Sequence, residues 1–387
     1  MKKYLVSVGI ATRNRGFYML KVFDQLYKLG KDVQIVISDN SDNNELEHQL
    51  KEYIDNDRVK YIYTKDKLSV VNNYNITATH ATGEYYICIG DDDIVLSNVL
   101  DLAKWMRKCN IDAVKTSREI TYIWPGASSK FGRISFTSIS KKSYSFDCEQ
   151  GVIEALQDGC QNYLITNMVG SYHGLVRMSR MNEVFDKTGV YFGGFSPDIY
   201  SATCLSLLPN MKCVYLDFPI SVPGSCAKSA TNRSSKRTAI STVEEAIKTY
   251  SNIGYKWSEE IPYFYTPETT WAETMTKAIK AMGREDLFEY FNKKTLVNSI
   301  YTRWTDYAHD LYSVFTEEER NLISDDYTQK ANTNYSKLRK LLRRFHGEVK
   351  DIFFVSDNFK AKKKIDSYMK KKVNFDNYWE SLKQDFE

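Results

Sequence analysis

Three acids in a row, Asp91-Asp92-Asp93, stand just past a short apolar run, Tyr85-Tyr86-Ile87-Cys88-Ile89, that is flanked by Gly83 and Gly90. The run reads as a strand buried on both faces of a sheet. Three adjacent carboxylates repel one another, and leaving them unpaired at the end of a buried strand is costly. A hard divalent cation, Mg2+ or Mn2+, removes that cost, because it takes carboxylate oxygens and keeps open positions for phosphate oxygens. In an open α/β sheet the crevice outside the carboxyl ends of the strands is where ligands bind. The competing reading is a solvated acidic turn.

The elements around this stretch favour a site. Residues 4–11 form a first apolar strand that ends in Thr12-Arg13-Asn14-Arg15, and residues 33–37 form a second that ends in Ser38-Asp39-Asn40-Ser41. Residues 59–63 make a third. Helical spacing covers 16–29, 45–54, 68–81 and 100–109 between and after these strands. Strand and helix alternate over short links, which predicts an α/β fold with a mostly parallel sheet. Polar clusters thus recur at the carboxyl ends of the first, second and fourth strands.

Beyond residue 113 the pattern loosens. Alternation at 133–139 predicts added strands or a hairpin, 169–176 reads as a strand, and 179–187 as a helix. A glycine-bearing loop, residues 191–197, opens a helix over 198–208, with Asp198 in its first turn, where the helix dipole favours a carboxylate. Residues 212–216 read as another strand. Residues 222–238 have the composition of a mobile loop carrying Lys228, Arg233, Lys236 and Arg237. After 240 the stretches 244–250, 269–282, 287–311, 317–323 and 335–345 read as helices.

Composition excludes several classes. The chain has 387 residues, 42% hydrophobic and 26% charged, as in a soluble globular protein of more than one domain. A formal charge of +4 is too small to imply nucleic-acid binding. The seven cysteines include no Cys-x-x-Cys pair, which reads as reduced thiols in a cytosolic protein rather than a zinc site or disulfide framework. No window supports a transmembrane helix.

The quoted pieces together resemble family 2 glycosyltransferases of the GT-A fold. The resemblance covers roughly residues 3–225 and rests on residues 6–15, 36–41, 68–75 and 81–93 in that order and spacing. It implies a Rossmann-like GT-A domain over 1–225, a flexible basic loop or linker over 226–239, and a mainly α-helical C-terminal region over 240–387. It also implies an inverting, metal-dependent transfer of sugar from a nucleotide-diphosphate sugar, a UDP-sugar, to a saccharide or lipid-linked saccharide in bacterial surface-polysaccharide assembly. By the resemblance, Asp91 and Asp93 are the D-x-D pair that meets Mn2+ or Mg2+, with Asp93 the ligand and Asp91 close to the metal or the ribose. Asp92, Thr12, Asn14, Arg15 and Lys67 line the nucleotide pocket, and Asp39 receives a hydrogen bond from the base. Asp198 is the base that activates the acceptor hydroxyl, although Pro197 stands where the family usually has Glu. His173 falls where the family places acceptor or metal contacts.

Each assignment has a plainer competitor. Asp39 fits an Asx-turn, Thr12 or Asn14 a helix cap, Asp198 a helix-terminal carboxylate and His173 a satisfied core residue. Lys65 and Lys67 fit solvated loop lysines. The basic stretch 337–345 and the lysine triplets 362–364 and 370–372 fit either peripheral contact with the inner face of the cell membrane or a solvated charged face that Asp351, Asp357 and Asp366 interrupt. Two other functions compete. Residues 91–95 fit the D-x-D-x-V pattern of haloacid-dehalogenase phosphatases, with Asp91 as nucleophile. A nucleotide-binding or scaffold module without turnover is the other.

Overall fold

A computed structural model describes residues 4–54, 57–117, 120–137, 139, 142–229, 242–250, 254–304, 312–323, 351–373 and 378–379. The chain begins β1 (Val6–Thr12), α1 (Gly16–Tyr27), β2 (Val33–Asp39), α2 (Glu45–Ile54), β3 (Val59–Tyr63), α3 (Val70–Thr79) and β4 (Tyr85–Ile89). It continues β5 (Ile94–Val95), α4 (Val99–Lys108), β6 (Ala113–Thr116), β7 (Ile120–Ile123), β8 (Gly132–Phe136), β9 (Ser143–Phe146) and α5 (Cys148–Gln157). Then come β10 (Leu175–Arg177), α6 (Met178–Thr188), α7 (Pro197–Ser206), β11 (Cys213–Leu216), β12 (Ser221–Val222) and β13 (Gly224–Ser225). Last are α8 (Val243–Tyr250), α9 (Pro267–Ala281), a 3-10 turn (Glu285–Tyr290), α10 (Lys293–Arg303), α11 (Glu317–Asn321), β14 (Asp351–Val355) and α12 (Asn358–Lys372).

Eight strands form the central sheet in the order β3-β2-β1-β4-β10-β6-β11-β9. Within it β1 pairs in parallel with β2 and β4, β2 with β3, and β6 with β11, while β10 and β9 pair antiparallel with their neighbours. This is the mostly parallel sheet expected from the alternation of strands and helices. All of β4 is buried, and its alternate side chains enter two different cores. Tyr85, Ile87 and Ile89 join one face with β1, α1 and α4, and Tyr86 and Cys88 join the other with α5, α6, α7 and α9. Gly9 of β1 is required by that second face: the Tyr86 hydroxyl, bonded to Thr77 Oγ1 at 2.7 Å, fills the space a Cβ would take.

Four departures from the sequence reading concern the parts around this sheet. Residues 169–176 do not form one strand. The strand is confined to β10, and His173 has φ 63°, a left-handed conformation that costs a non-glycine residue free energy. The helix expected over 287–311 divides into the 3-10 turn and α10, because the Asn292 side chain caps a new start by accepting from Thr295 N at 2.9 Å; 305–311 lie outside the described residues. The region 240–387 is not wholly helical. Its strand β14 pairs antiparallel with β8, extending the small sheet β13-β7-β8-β14, and α12 packs its Ala361, Ile365 and Met369 into the first core. The burial of β14 alternates: Phe353 and Val355 turn inward, and Phe353 meets Phe136 edge-on at 5.6 Å. Finally, residues 226–229 of the expected flexible loop are held in place, as described below. Arg233, Lys236, Arg237 and 335–345 lie outside the described residues.

The basic triplets of α12 thus belong to a helix whose apolar side is already on the protein's own core, and Lys362 pairs with Asp366 at 2.9 Å. No helix among the described residues is long and apolar enough to cross a membrane. A cavity of about 470 Å³ lined by Phe146, Asp147, Cys148, Pro209 and Met211 opens at the amino-terminal end of β11, at the opposite end of the strands from the acids that follow the central β4. Phe353→Ala should cost about 2 kcal/mol in denaturant unfolding, since it removes a half-buried ring from the contact between β14 and β8. A loss below about 0.5 kcal/mol, within the range of a surface change, would mean that β14 is not docked.

Candidate active site

The register of the parallel strands assembles the site. Thr12 and Asp39 are direct partners at the carboxyl ends of β1 and β2. Ile10 is opposite Ile89, so two residues further on Thr12 comes beside Asp91, and its hydroxyl donates to Asp91 Oδ2 at 2.5 Å. The loops that leave these strands are tied to one another. Asn14, itself at φ 55°, donates through Nδ2 to Asp42 Oδ2 at 2.8 Å and accepts from Asp42 N at 3.0 Å. Asn40 donates to the carbonyls of Thr64 and Asp66 and accepts from Leu68 N. Three polar turns from distant parts of the sequence therefore form one rim.

All three acids are nearly fully buried, and each is compensated differently. The Arg15 guanidinium bridges Asp91 Oδ1 at 3.0 Å and Asp92 Oδ2 at 2.6 Å. Burial pulls the Arg15 pKa down, but the two carboxylates hold it above its ordinary value. Asp92 also receives Cys226 N at 3.2 Å, the Ser229 hydroxyl at 2.5 Å and, on its carbonyl, Trp124 Nε1 at 2.7 Å. Asp93 Oδ1 receives Gly224 N at 2.7 Å, and its Oδ2 receives Gly90 N at 2.6 Å. Gly224 is the one residue that fits there, because a Cβ would collide with the Asp92 carbonyl oxygen. The pairing of β12 with β5 delivers this 224–229 segment to the acids.

His173 completes the set. The segment before β10 runs beside the end of β4, with Cys88 N on Ser171 O at 2.8 Å and His173 N on Cys88 O at 3.3 Å. That placement sets His173 Nε2 3.3 Å from Asp93 Oδ2. The other ring nitrogen, Nδ1, is 2.9 Å from Ser221 Oγ, and the Ser221 hydroxyl can donate to His173 O at 3.4 Å. The residue is 4% exposed; a proton on Nε2 pairs it with Asp93, whereas a proton on Nδ1 leaves Nε2 a lone pair for a cation. A neutral imidazole nitrogen beside a carboxylate oxygen is a donor set for a divalent cation. It holds only two side chains; among the described residues no cluster of three or more His, Cys, Asp or Glu is placed to hold a metal.

Asp198 stands in the first turn of α7. Its Oδ2 accepts from Tyr163 at 2.8 Å and its Oδ1 from Ser196 Oγ at 2.6 Å. Tyr74 and Tyr172 lie between it and Asp93. Burial pushes both phenols well above their ordinary pKa, and the charges of Asp93 and Asp198 add to both. Tyr172 OH is also 3.4 Å from Asp93 Oδ2.

Two predicted residues are less engaged. Asp39 is fully buried with both oxygens occupied, Oδ1 by Ser41 N and Oγ and Oδ2 by Tyr61 OH, which is the geometry of the competing Asx-turn. Lys67 is exposed, as is Lys65, and its charge reaches Asp42. Sequence reasoning did not select Tyr163, Trp124, Gly224, Cys226 or Ser229. None belongs to a local motif, and each acts on an acid distant in the chain.

Residues 7–175 match the family model described as Glycosyl transferase family 2. Over this stretch, a little under half of the chain, the protein is similar to family 2 glycosyltransferases. The phosphatase alternative is set aside by it. Solved structures similar to the chain include Staphylococcus aureus TarS 1–349 in complex with UDP-GlcNAc, at 12% identity and TM-score 0.44 over 82% of this chain and 84% of that one. TarS 1–349 with UDP is also 12% identical, with TM-score 0.45, over 88% and 91% of the two chains. No curated protein matches the chain. In this glycosyltransferase the matched residues contain every acid of the triad and His173, while Asp198, Gly224 and Cys226 lie beyond them.

Burial, helped by the neighbouring Asp92 charge, pushes the Asp91 carboxyl up from 3.8 to about 7 despite Arg15. The folded chain therefore binds this proton more tightly than the unfolded chain. Its stabilising contribution is full below the unfolded value and is lost as pH rises from about 4 to 7. Asp93, lowered against its burial mainly by His173, has the opposite sign and loses its contribution as pH falls through the acid range. Between pH 5 and 8 the wild type should lose stability relative to Asp91→Asn, by an amount on the order of a few kcal/mol. Parallel pH dependence in the two proteins, measured by denaturant unfolding, would refute the shift.

Proposed function

We propose that the enzyme is an inverting glycosyltransferase that moves a sugar from a UDP-sugar to a saccharide acceptor, with a divalent cation at Asp93 and His173. The observation that carries this reading is the buried His173 Nε2 3.3 Å from Asp93 Oδ2, at a strand end where two other acids are already neutralised by Arg15. Asp93 and His173 would hold Mn2+ or Mg2+, and the remaining positions suit diphosphate oxygens. When bound, the cation supplies Lewis-acid stabilisation of the charge that develops on the leaving diphosphate.

The chain's own residues do the rest. Arg15 stands between the acids and the Thr12–Asn14 rim and offers a second positive charge to the diphosphate. Asp91 and Thr12 orient the ribose. Asp39 fixes the rim on which the base rests and meets the base itself only by releasing Tyr61 or Ser41. Asp198 takes the proton of the acceptor hydroxyl as that oxygen attacks the anomeric carbon, and the bond from that carbon to the diphosphate oxygen breaks. A single displacement of this kind inverts the anomeric centre. A carboxylate can serve as this base because the hydroxyl acidifies only as attack proceeds.

The test is turnover of a panel of UDP-sugars with Mn2+ and saccharide acceptors, following UDP release and the anomeric configuration of the product by NMR. The expected product is inverted, and Asp198→Asn should lower kcat by about 100-fold or more with donor affinity retained. A retained configuration, or full activity in that variant, would rule out Asp198 as the base.

A further inference from the structure

Helix α9 (Pro267–Ala281) lies outside the residues matched by the family, yet one of its faces is built against Asp198. Trp271 and Thr274, three residues apart, share that face. Thr274 Oγ1 accepts from Phe195 N at 3.2 Å and Ser196 N at 3.3 Å, which pins the turn that opens α7. Gly194, at φ 64°, packs directly on Thr274. The Trp271 ring lies 6.3 Å from that of Tyr163 at an angle of 59°. The Tyr163 hydroxyl is the donor to Asp198 Oδ2. Trp271, Tyr163 and Asp198 are all half-buried, and Ile165 beside them is 79% exposed.

We propose that Tyr163 and Trp271 form the acceptor side of the site and take the C–H face of a pyranoside ring, while the Tyr163 hydroxyl positions Asp198. A pyranose has a polar rim of hydroxyls and an apolar C–H face. A carboxylate beside two partly open aromatic rings is complementary to both at once. An acyclic polyol has no such flat face and gains nothing from the rings. The two hydroxyls that donate to Asp198 fix the direction of its carboxylate. The C-terminal region thereby supplies acceptor recognition to a donor site built wholly in the first part of the chain. This rests on the reading of Asp198 as the base.

The test uses the full-length protein, a UDP-sugar that it turns over, and p-nitrophenyl glucoside, galactoside and N-acetylglucosaminide as probe acceptors beside ribitol phosphate. Trp271→Leu should raise the pyranoside KM about tenfold with the donor KM and the Kd for UDP unchanged. Tyr163→Phe keeps the ring, so it should leave the acceptor KM in place and lower kcat, because the carboxylate loses the donor that aims it. Should Trp271→Leu lose its melting transition, Trp271→Phe is expected to show the same KM split at smaller size. Equal effects on donor and acceptor KM in a folded variant overturn the proposal, and so does use of ribitol phosphate as readily as the pyranosides. Full transfer activity in Asp198→Asn would sink the base reading instead, whatever Trp271→Leu does.

Discussion

Three carboxylates buried side by side at the end of a strand cannot all carry charge unless each is compensated, and the rest of this architecture follows from how that is done. Arg15 neutralises two of them and leaves the third to backbone amides and an imidazole. The division matters chemically. A guanidinium fixed between Asp91 and Asp92 removes those acids from competition for a cation, so the remaining anionic position with a soft neighbour is Asp93 beside His173. Desolvation makes each of these contacts stronger than it would be in water and makes any one of them costly to lose.

The fold delivers the partners from far apart. Parallel pairing of β2, β1 and β4 sets Asp39, Thr12 and the acids in one row by register alone. The antiparallel contact of β12 with β5 returns the chain so that Gly224, Cys226 and Ser229 close over the acids from the other side. His173 reaches Asp93 only because the chain before β10 takes a left-handed turn, a cost located at a site residue. The C-terminal helices are equally part of this arrangement, since α9 fixes the turn before Asp198 and α12 and β14 fasten back onto the first core.

Much of this was legible in the sequence where local pattern and chemistry coincide. The alternating strands and helices gave the parallel sheet, and the apolar run before the acids gave β4 and its buried end. Thr12, Arg15, Asp91, Asp92, Asp93 and His173 do come together. What the pattern could not show was long-range pairing. Strand β14 is five residues in a region dominated by helical spacing, and its partner is more than two hundred residues away. Residues 224–229 have the composition of a loose loop, and the acids they meet together with the pairing of β13 to β7 hold them in place. Asp39 carries a family signature, yet its own turn and Tyr61 take its oxygens, so the local Asx geometry was as readable as the binding role. Tyr163 and Trp271 belong to no motif and became visible only through the hydrogen bond and ring contact beside Asp198.

The central claim is that Asp93 and His173, rather than the acids paired with Arg15, form the protein's share of a cation site. Titration of Mn2+ into the full-length protein with UDP, following free Mn2+ by electron paramagnetic resonance, tests it most directly. The account predicts a single saturable site that is weakened about tenfold or more in Asp93→Asn and in His173→Gln. Wild-type affinity in both variants would contradict it.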